Sequence, residues 1–175
     1  MITLQVDVRE LIALEQWFGT IERDGRDQKP ALEAARDEFE DVISEKFAQE
    51  GPGWAAHSPI TTALRADRGT SGPVLQEDGD LLDSFMHGES GHFERWTTAS
   101  FETGSALSTP SGWGLADVHE HGFRNRGVIP ATSISPRIRM KGKPVPARPL
   151  LVDFSAGQNR MIDKYEDVYF SRMGI

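Results

Sequence analysis

One stretch dictates more of the fold than any other. Leu32, Ala35, Phe39, Val42, Ile43 and Phe47 recur every three or four residues, and acidic side chains crowd the opposite positions. That period sets the six apolar groups on one face of an α-helix. Pro30 suits its first turn, where the missing N–H has no intrahelical acceptor to satisfy. Gly51-Pro52-Gly53 stops the run. A long helix with one apolar face is stable only when other elements cover that face.

The rest of the chain must supply the cover. Ile2, Leu4, Val6 and Val8 alternate as in a half-buried strand. Asp7 with Glu10 three residues on marks a helix start, and Leu11, Leu14, Trp17, Phe18 and Ile21 follow at helical spacing. Residues 51–80 read as loop, with a short helix over Ile60 to Ala66 opened by Pro59. Gly79 suits a turn with positive φ. Leu81, Leu82, Phe85 and Met86 form an apolar element of ambiguous period. Residues 93–103 alternate in part, as one edge of a hairpin with its turn at Ser90-Gly91. Leu115 to His121 fits one or two helical turns ended by Gly122. Pro130 to Pro149 reads as an extended arm or long hairpin loop, with Ile138-Arg139-Met140 as a short strand at most. Leu150, Leu151, Val152 and Phe154 read as a last strand. Ser155 and Gln158 then cap a C-terminal helix striped by Met161, Ile162, Tyr165, Val168 and Tyr169.

The chain has 175 residues, 38% of them hydrophobic, which fits a single domain over 1–175 with a projecting Pro-rich basic arm at about 123–148. It has no cysteine, which excludes a disulfide framework, Cys-ligated zinc, an Fe–S cluster and a thiolate nucleophile. No run of about 18 apolar residues spans a membrane. The opening Met1 to Asp7 lacks a basic region ahead of an apolar core, so no secretory signal is expected. The net charge of −8 argues against general nucleic-acid binding. That figure averages two unlike regions. Residues 1–55 carry 13 acidic and 6 basic side chains. Residues 121–152 carry Arg124, Arg126, Arg137, Arg139, Lys141, Lys143 and Arg148 and no acid. Such an arm fits a solvated loop, a contact with an acidic protein surface, or DNA. It lacks the interleaved aromatics of a single-strand groove.

Chemistry has little warrant. No glycine-rich phosphate fingerprint and no Gly-x-Ser-x-Gly elbow occurs, so no cofactor is expected. His119-Glu120-His121 offers two imidazoles that reach one metal from a strand but not from one face of a helix. A small metal-dependent enzyme using His119, His121 and a third ligand such as Asp117 or His92 is the alternative to a non-enzymatic role. A packing role is the plainer reading of both imidazoles.

Five segments carry a family likeness. They are Phe47 to Trp54, Thr61 to Arg65, Val74 to Ser84, Leu115 to Gly122, and Pro146 to Leu151. Their order and spacing resemble the tailed-bacteriophage virion morphogenesis proteins, a Mu-like tail-completion and neck family. The matching motifs are Pro-x-Trp after a helix (Pro52 to Trp54), a Thr/Arg segment, and Leu-x-x-Asp-Gly-x-Leu-x-x-Ser (Leu75 to Ser84). Ala-x-x-His-Glu-x-Gly (Ala116 to Gly122) and Pro-Ala-Arg-Pro (Pro146 to Pro149) complete the set. Gly104 to Trp113 departs from the pattern. The resemblance spans roughly residues 32 to 170. It implies an α+β fold, a small antiparallel sheet packed against one long helix plus a C-terminal helix, with long loops or an extended arm. It further implies a structural part of a neck or proximal tail, a tail terminator or head–tail joining component. Such proteins form homo-oligomeric rings, commonly hexamers, that meet other neck, connector or tail-tube proteins in the virion after assembly in the host cytoplasm. Contact with DNA in the lumen, as an adaptor, is a further implication. On that reading Trp54, Trp96 and Trp113 are interface anchors, with core packing as the alternative, and the seven basic residues face a neighbour. Arg148, stiffened between Ala147 and Pro149, fits either an intersubunit ion pair or a local bridge.

Overall fold

The computed structural model describes residues 8–51, 53–70, 72–110, 112–125, 128–129, 138–139, 143–151 and 154–174. The fold is α+β and mostly helical. Helix α1 runs Val8–Arg26, α2 Lys29–Ala48, α3 Pro59–Asp67 and α4 Asp80–Asp83. Strands β1 (His92–Trp96) and β2 (Phe101–Ser105) follow, then α5 (Leu115–His121). Strands β3 (Phe123–Asn125), β4 (Val128–Ile129), β5 (Ile138–Arg139) and β6 (Lys143–Val145) precede α6 (Ser155–Met173).

Helix α2 is the spine, as its period requires. Ala31, Ala35, Phe39, Ile43 and Phe47 are buried at a strict spacing of four. With Trp54, Val74, Leu81, Phe85 and Leu150, the last three of these form the main core cluster. Helix α6 covers part of that face and runs antiparallel to α2. Gly157 meets Val42, Arg160 pairs with Glu38 and Glu45, and Arg172 pairs with Asp27 just ahead of α2. Gly157 lets the two backbones close, since a Cβ there would lie 2.8 Å from Val42 Cγ1. Phe39 bridges the layers, 5.8 Å from Phe154 and 6.4 Å from Phe85, ring centre to ring centre.

After α2 the chain reverses at Gly51, whose φ is +61°. Trp54 then folds back edge-on against Phe47, 5.4 Å between centroids. A Cβ on Gly51 would sit 2.1 Å from the Trp54 indole, so glycine is required twice over, by conformation and by space. Ser58 caps α3 by accepting from Thr61 N–H at 3.1 Å, with Pro59 in the first turn. Gly79 has φ +87° and starts the single turn of α4, which resolves the ambiguous Leu81 to Met86 run.

Three expectations are corrected. The 93–103 run is not one strand turning at Ser90-Gly91. It is itself the hairpin β1–β2, paired His92 to Ser105 and Trp96 to Phe101. Thr97 makes the turn: its hydroxyl accepts from Ser100 N–H at 2.9 Å and Ala99 N–H at 3.3 Å. The strand at 150–154 is absent from its described residues: Leu150 and Leu151 form a bend, and Phe154 is the N-cap of α6 with no side-chain cap. Ser155 therefore lies inside α6 and does not cap it. In the α6 stripe, Ile162 is exposed while Gly157 and Met173 are buried. The strand expected at 2–8 lies outside the described residues, except that Val8 begins α1.

Within the basic region the described residues form two short antiparallel pairs, one inside the other in sequence. Phe123 to Asn125 pairs antiparallel with Val145 to Lys143, and Val128-Ile129 pairs with Arg139-Ile138 inside it. Gly122 closes its base with φ +69°, where a Cβ would lie 2.7 Å from Val145 O. The expected arm is therefore a two-stranded ribbon at these rungs.

Candidate functional site

The densest polar structure is built where the ends of α2, α5 and the 146–151 segment meet. The backbone of 148–151 is gripped almost entirely by side chains and by α5. Arg148 N–H donates to His119 O at 2.7 Å. Trp54 Nε1–H donates to Pro149 O at 2.9 Å. Lys46 Nζ donates to Leu150 O at 2.6 Å. Glu120 Oε2 accepts from Leu150 N–H and from Leu151 N–H, the latter at 3.0 Å. Leu150 is thereby held at 1% exposure without belonging to any strand. Gln76 ties a fourth segment in, donating from Nε2 to Phe47 O at 2.8 Å.

Two guanidiniums lie inside this knot. Arg148 is 8% exposed and donates from Nε to Ala55 O at 3.0 Å. Arg65 is 5% exposed, and its Nη1 reaches Pro73 O at 3.2 Å and His57 Nε2 at 3.0 Å. A guanidinium has no acceptor, so the His57 nitrogen that faces it must carry a lone pair. The electrostatics agree. Burial, then Arg65 and Arg148, push the His57 pKa down. Burial, then Arg148, push His119 down as well. Desolvation and fixed positive charge thus both favour the neutral form of these imidazoles. Burial also lowers Arg148 itself.

The residues singled out in the sequence separate into groups. Trp54 is a core residue at 9% exposure and does not serve as an exposed anchor, which corrects that expectation. Its indole is consumed by Phe47 and Pro149. Trp96 is half-buried on the hairpin, stacked on Phe101 at 5.3 Å and donating to Glu94 at 2.6 Å. Lys29 and Arg36 of α2 sit 6.0 and 5.8 Å from its ring centre. Arg36 joins the hairpin to α2 through Glu94 at 3.2 Å. Burial works against its charge, but hydrogen bonds to Asp37 and Glu94 outweigh that and raise its pKa. Trp113 is 66% exposed and available to a partner. Arg148 is a local bridge in the described contacts. Arg124, Arg139 and Lys143 lie on β3, β5 and β6, with side chains outside the described set. Arg126, Arg137 and Lys141 lie outside the described residues.

His119 and His121 fall on α5, a helix. Two residues of separation turns them about 200° apart, so they cannot converge on one ion. His121 Nδ1 instead meets the Asp117 carboxylate at 3.2 Å in solvent. Among the described residues, no three His, Asp or Glu side chains gather as a metal site. No described helix is long and apolar enough to cross a membrane. An open cleft of ≈ 820 Å³ separates Glu22, Arg23 and Arg26 of α1 from Trp96, Thr97 and Thr98 of the hairpin. Its charges are mixed, and Arg23 and Arg26 are paired with Asp24 and Glu22.

Sequence reading missed Glu120 as the clamp on the 150–151 backbone, and the contact of buried Arg65 with half-buried His57. Glu120 acts on a segment 30 residues away, and Arg65 and His57, though only eight residues apart, are linked by no period or motif. Comparison with known proteins finds no matching family model, no matching curated protein and no matching solved structure.

Proposed function

We propose that the protein is a non-enzymatic structural subunit of a tailed-phage neck or proximal tail, assembling with copies of itself in a ring and joining other neck or tail proteins. One observation carries the reading. The segments that bear the family likeness meet one another in space. Trp54 of the Pro-x-Trp motif binds Pro149 of the Pro-Ala-Arg-Pro motif. His119 and Glu120 bind the backbone at Arg148, Leu150 and Leu151. Gln76 binds Phe47. Arg65 closes its own loop through Pro73. A motif set that exists to hold a fold should interlock in this way, whereas a catalytic set should line a cavity with its polar atoms exposed to substrate. Here the motif side chains are spent on backbone groups. That supports a scaffold whose working surfaces lie elsewhere, on the ribbon, on Trp113 and on α1.

The ring surfaces follow from charge. The basic 121–152 region and the acidic 1–55 region give one chain two segments of unlike charge, as a heterologous ring contact needs. Mass spectrometry and imaging of purified particles test the reading. Many symmetric copies at the head–tail junction are expected. Particles without the protein, together with normal tails in its absence, would overturn it.

A further inference from the structure

Helix α1 carries a surface that the rest of the described chain does not use. Every described residue from Leu11 to Gly19 is exposed. Leu11, Ile12, Leu14, Trp17 and Phe18 are 46–57% exposed, and the Trp17 and Phe18 rings contact each other at 5.2 Å. Leu11, Leu14, Phe18, Ile21 and Gly25 follow one line along the helix at three- and four-residue steps. The lower end of that line is covered. Gly25 packs on Tyr169 and Met173 of α6, and Tyr169 Oη–H donates to Gly25 O at 3.2 Å. The upper end continues the same apolar face into solvent. On the hairpin side the cleft leaves the α1 flank uncovered as well. A helix with this face is ordinarily buried, and a contiguous exposed patch of this kind marks an interaction site.

We infer that the Leu11–Phe18 face of α1 is an interface with the same face of a second copy of this chain. Complementarity within the molecule selects the occupant. Among the described residues, five of the ten large exposed apolar side chains lie in these two turns. The other five, Phe93, Trp113, Leu151, Ile162 and Phe170, are dispersed over β1, the loop before α5, the turn before α6, and α6 itself. Among the described residues, the apolar surface of matching length on a second copy is therefore α1. Size agrees too. Ile12 lies toward the other side of the helix, while two half-exposed aromatics, Trp17 and Phe18, and two half-exposed leucines, Leu11 and Leu14, offer on the order of 400 Å² of apolar area per copy. That is the apolar centre of an interface of about 800 Å² per partner. A membrane surface fits less well. The α1 sequence carries Glu10, Glu15, Glu22 and Asp24 against Arg9, Arg23 and Arg26, whereas interfacial helices favour a cationic polar face. A like-to-like contact joins copies in pairs about a two-fold axis, and so is distinct from the head-to-tail contact of a ring. It does not depend on the ring proposal.

The absence of cysteine makes the test clean. Single substitutions Leu11→Cys, Leu14→Cys and Phe18→Cys are oxidised in dilute solution, with Gln16→Cys on the opposite face as control. At least one face position should give a covalent dimer, and the control should not. In parallel, sedimentation of the unmodified chain should show twice the monomer mass, and Leu14→Glu with Phe18→Glu should halve it while leaving the helical circular dichroism unchanged. A monomer at every concentration, or cross-linking equal at face and control positions, overturns the inference. So does co-flotation of the monomer with anionic vesicles that the double variant abolishes, which would assign the face to a lipid surface.

Discussion

Helices α1 and α2 have nearly the same length, 19 and 20 residues, and both are amphipathic in sequence, yet they meet opposite fates. The α2 face is roofed by α6, Trp54, Phe85 and Leu150. The α1 face is roofed only at its last turns. The difference is not in the apolar pattern, which is as regular in α1 as in α2. It lies in the partner surfaces. α2 presents alanines at positions 31 and 35, and α6 presents Gly157, so the backbones can approach closely. The α1 face is studded with Trp17, Phe18, Leu11 and Leu14, which suits a surface not supplied within the described chain. A periodic apolar stripe thus says that a face must be covered, and the companion elements decide by what.

The largest expected effect breaks the covered face. Phe47 is fully buried and touches Trp54 across the α2 terminus. Phe47→Ala removes a ring that no neighbour can replace and should cost about 3–5 kcal/mol. Urea denaturation followed by tryptophan emission measures this. A cost near zero would mean that the α2 face is not the core.

Next comes the clamp that replaces a strand at the far side of the same core. Glu120→Ala leaves the Leu150 and Leu151 N–H groups without their acceptor and should cost about 1–3 kcal/mol. Glu120→Gln keeps one acceptor oxygen and should recover part of that loss. Equal losses in both variants would shift the explanation from hydrogen bonding to charge.

This clamp also explains what the sequence could and could not reveal. Helix α2, the C-terminal helix and the turns at Gly79 and Gly122 were legible because period, proline and glycine act within a few residues. Leu150 and Leu151 read as the start of a strand because apolar spacing is the same in a strand and in a segment pinned by side chains. Among the described contacts, those of Glu120, Lys46 and Trp54, at 30, 104 and 95 residues' separation, distinguish the two. The β1–β2 turn was misplaced because the Ser90-Gly91 pair is a conventional turn signal, whereas Thr97 makes the turn through its own hydroxyl. Of the candidate site, the motifs draw attention to Trp54 and Arg148, but that both are buried shows only in three dimensions.

A smaller effect follows from the two histidines whose pKa Arg148 helps to lower. His57 and His119 have folded pKa values below the ordinary value of about 6.5. The unfolded chain therefore binds protons that the folded chain refuses, and stability falls as pH drops below about 6.5, until the folded values are reached. One such histidine contributes a slope of at most about 1.4 kcal/mol per pH unit. His119→Gln should flatten the stability profile between neutral and mildly acid pH. His57 leaves a residual slope of the same sign. An unchanged slope would remove His119 from the account.

The smallest effect belongs to the uncovered face, and it is the sharpest counterpart to Phe47. Phe18→Ser removes a ring of the same kind from a helix of the same kind. In dilute chain, where α1 has no companion, Phe18 is already 57% exposed. Its loss should then change stability by less than about 0.5 kcal/mol. The two helices diverge again as concentration rises. An interface that forms only in the folded state adds stability by mass action, so the unmodified chain should gain in denaturation midpoint with concentration. The Phe18→Ser chain should not. Two concentration series, one per chain, read the difference directly. Parallel midpoints at all concentrations would mean that the α1 face stabilises nothing in solution, and that the regular stripe on α1 is not matched to a second copy.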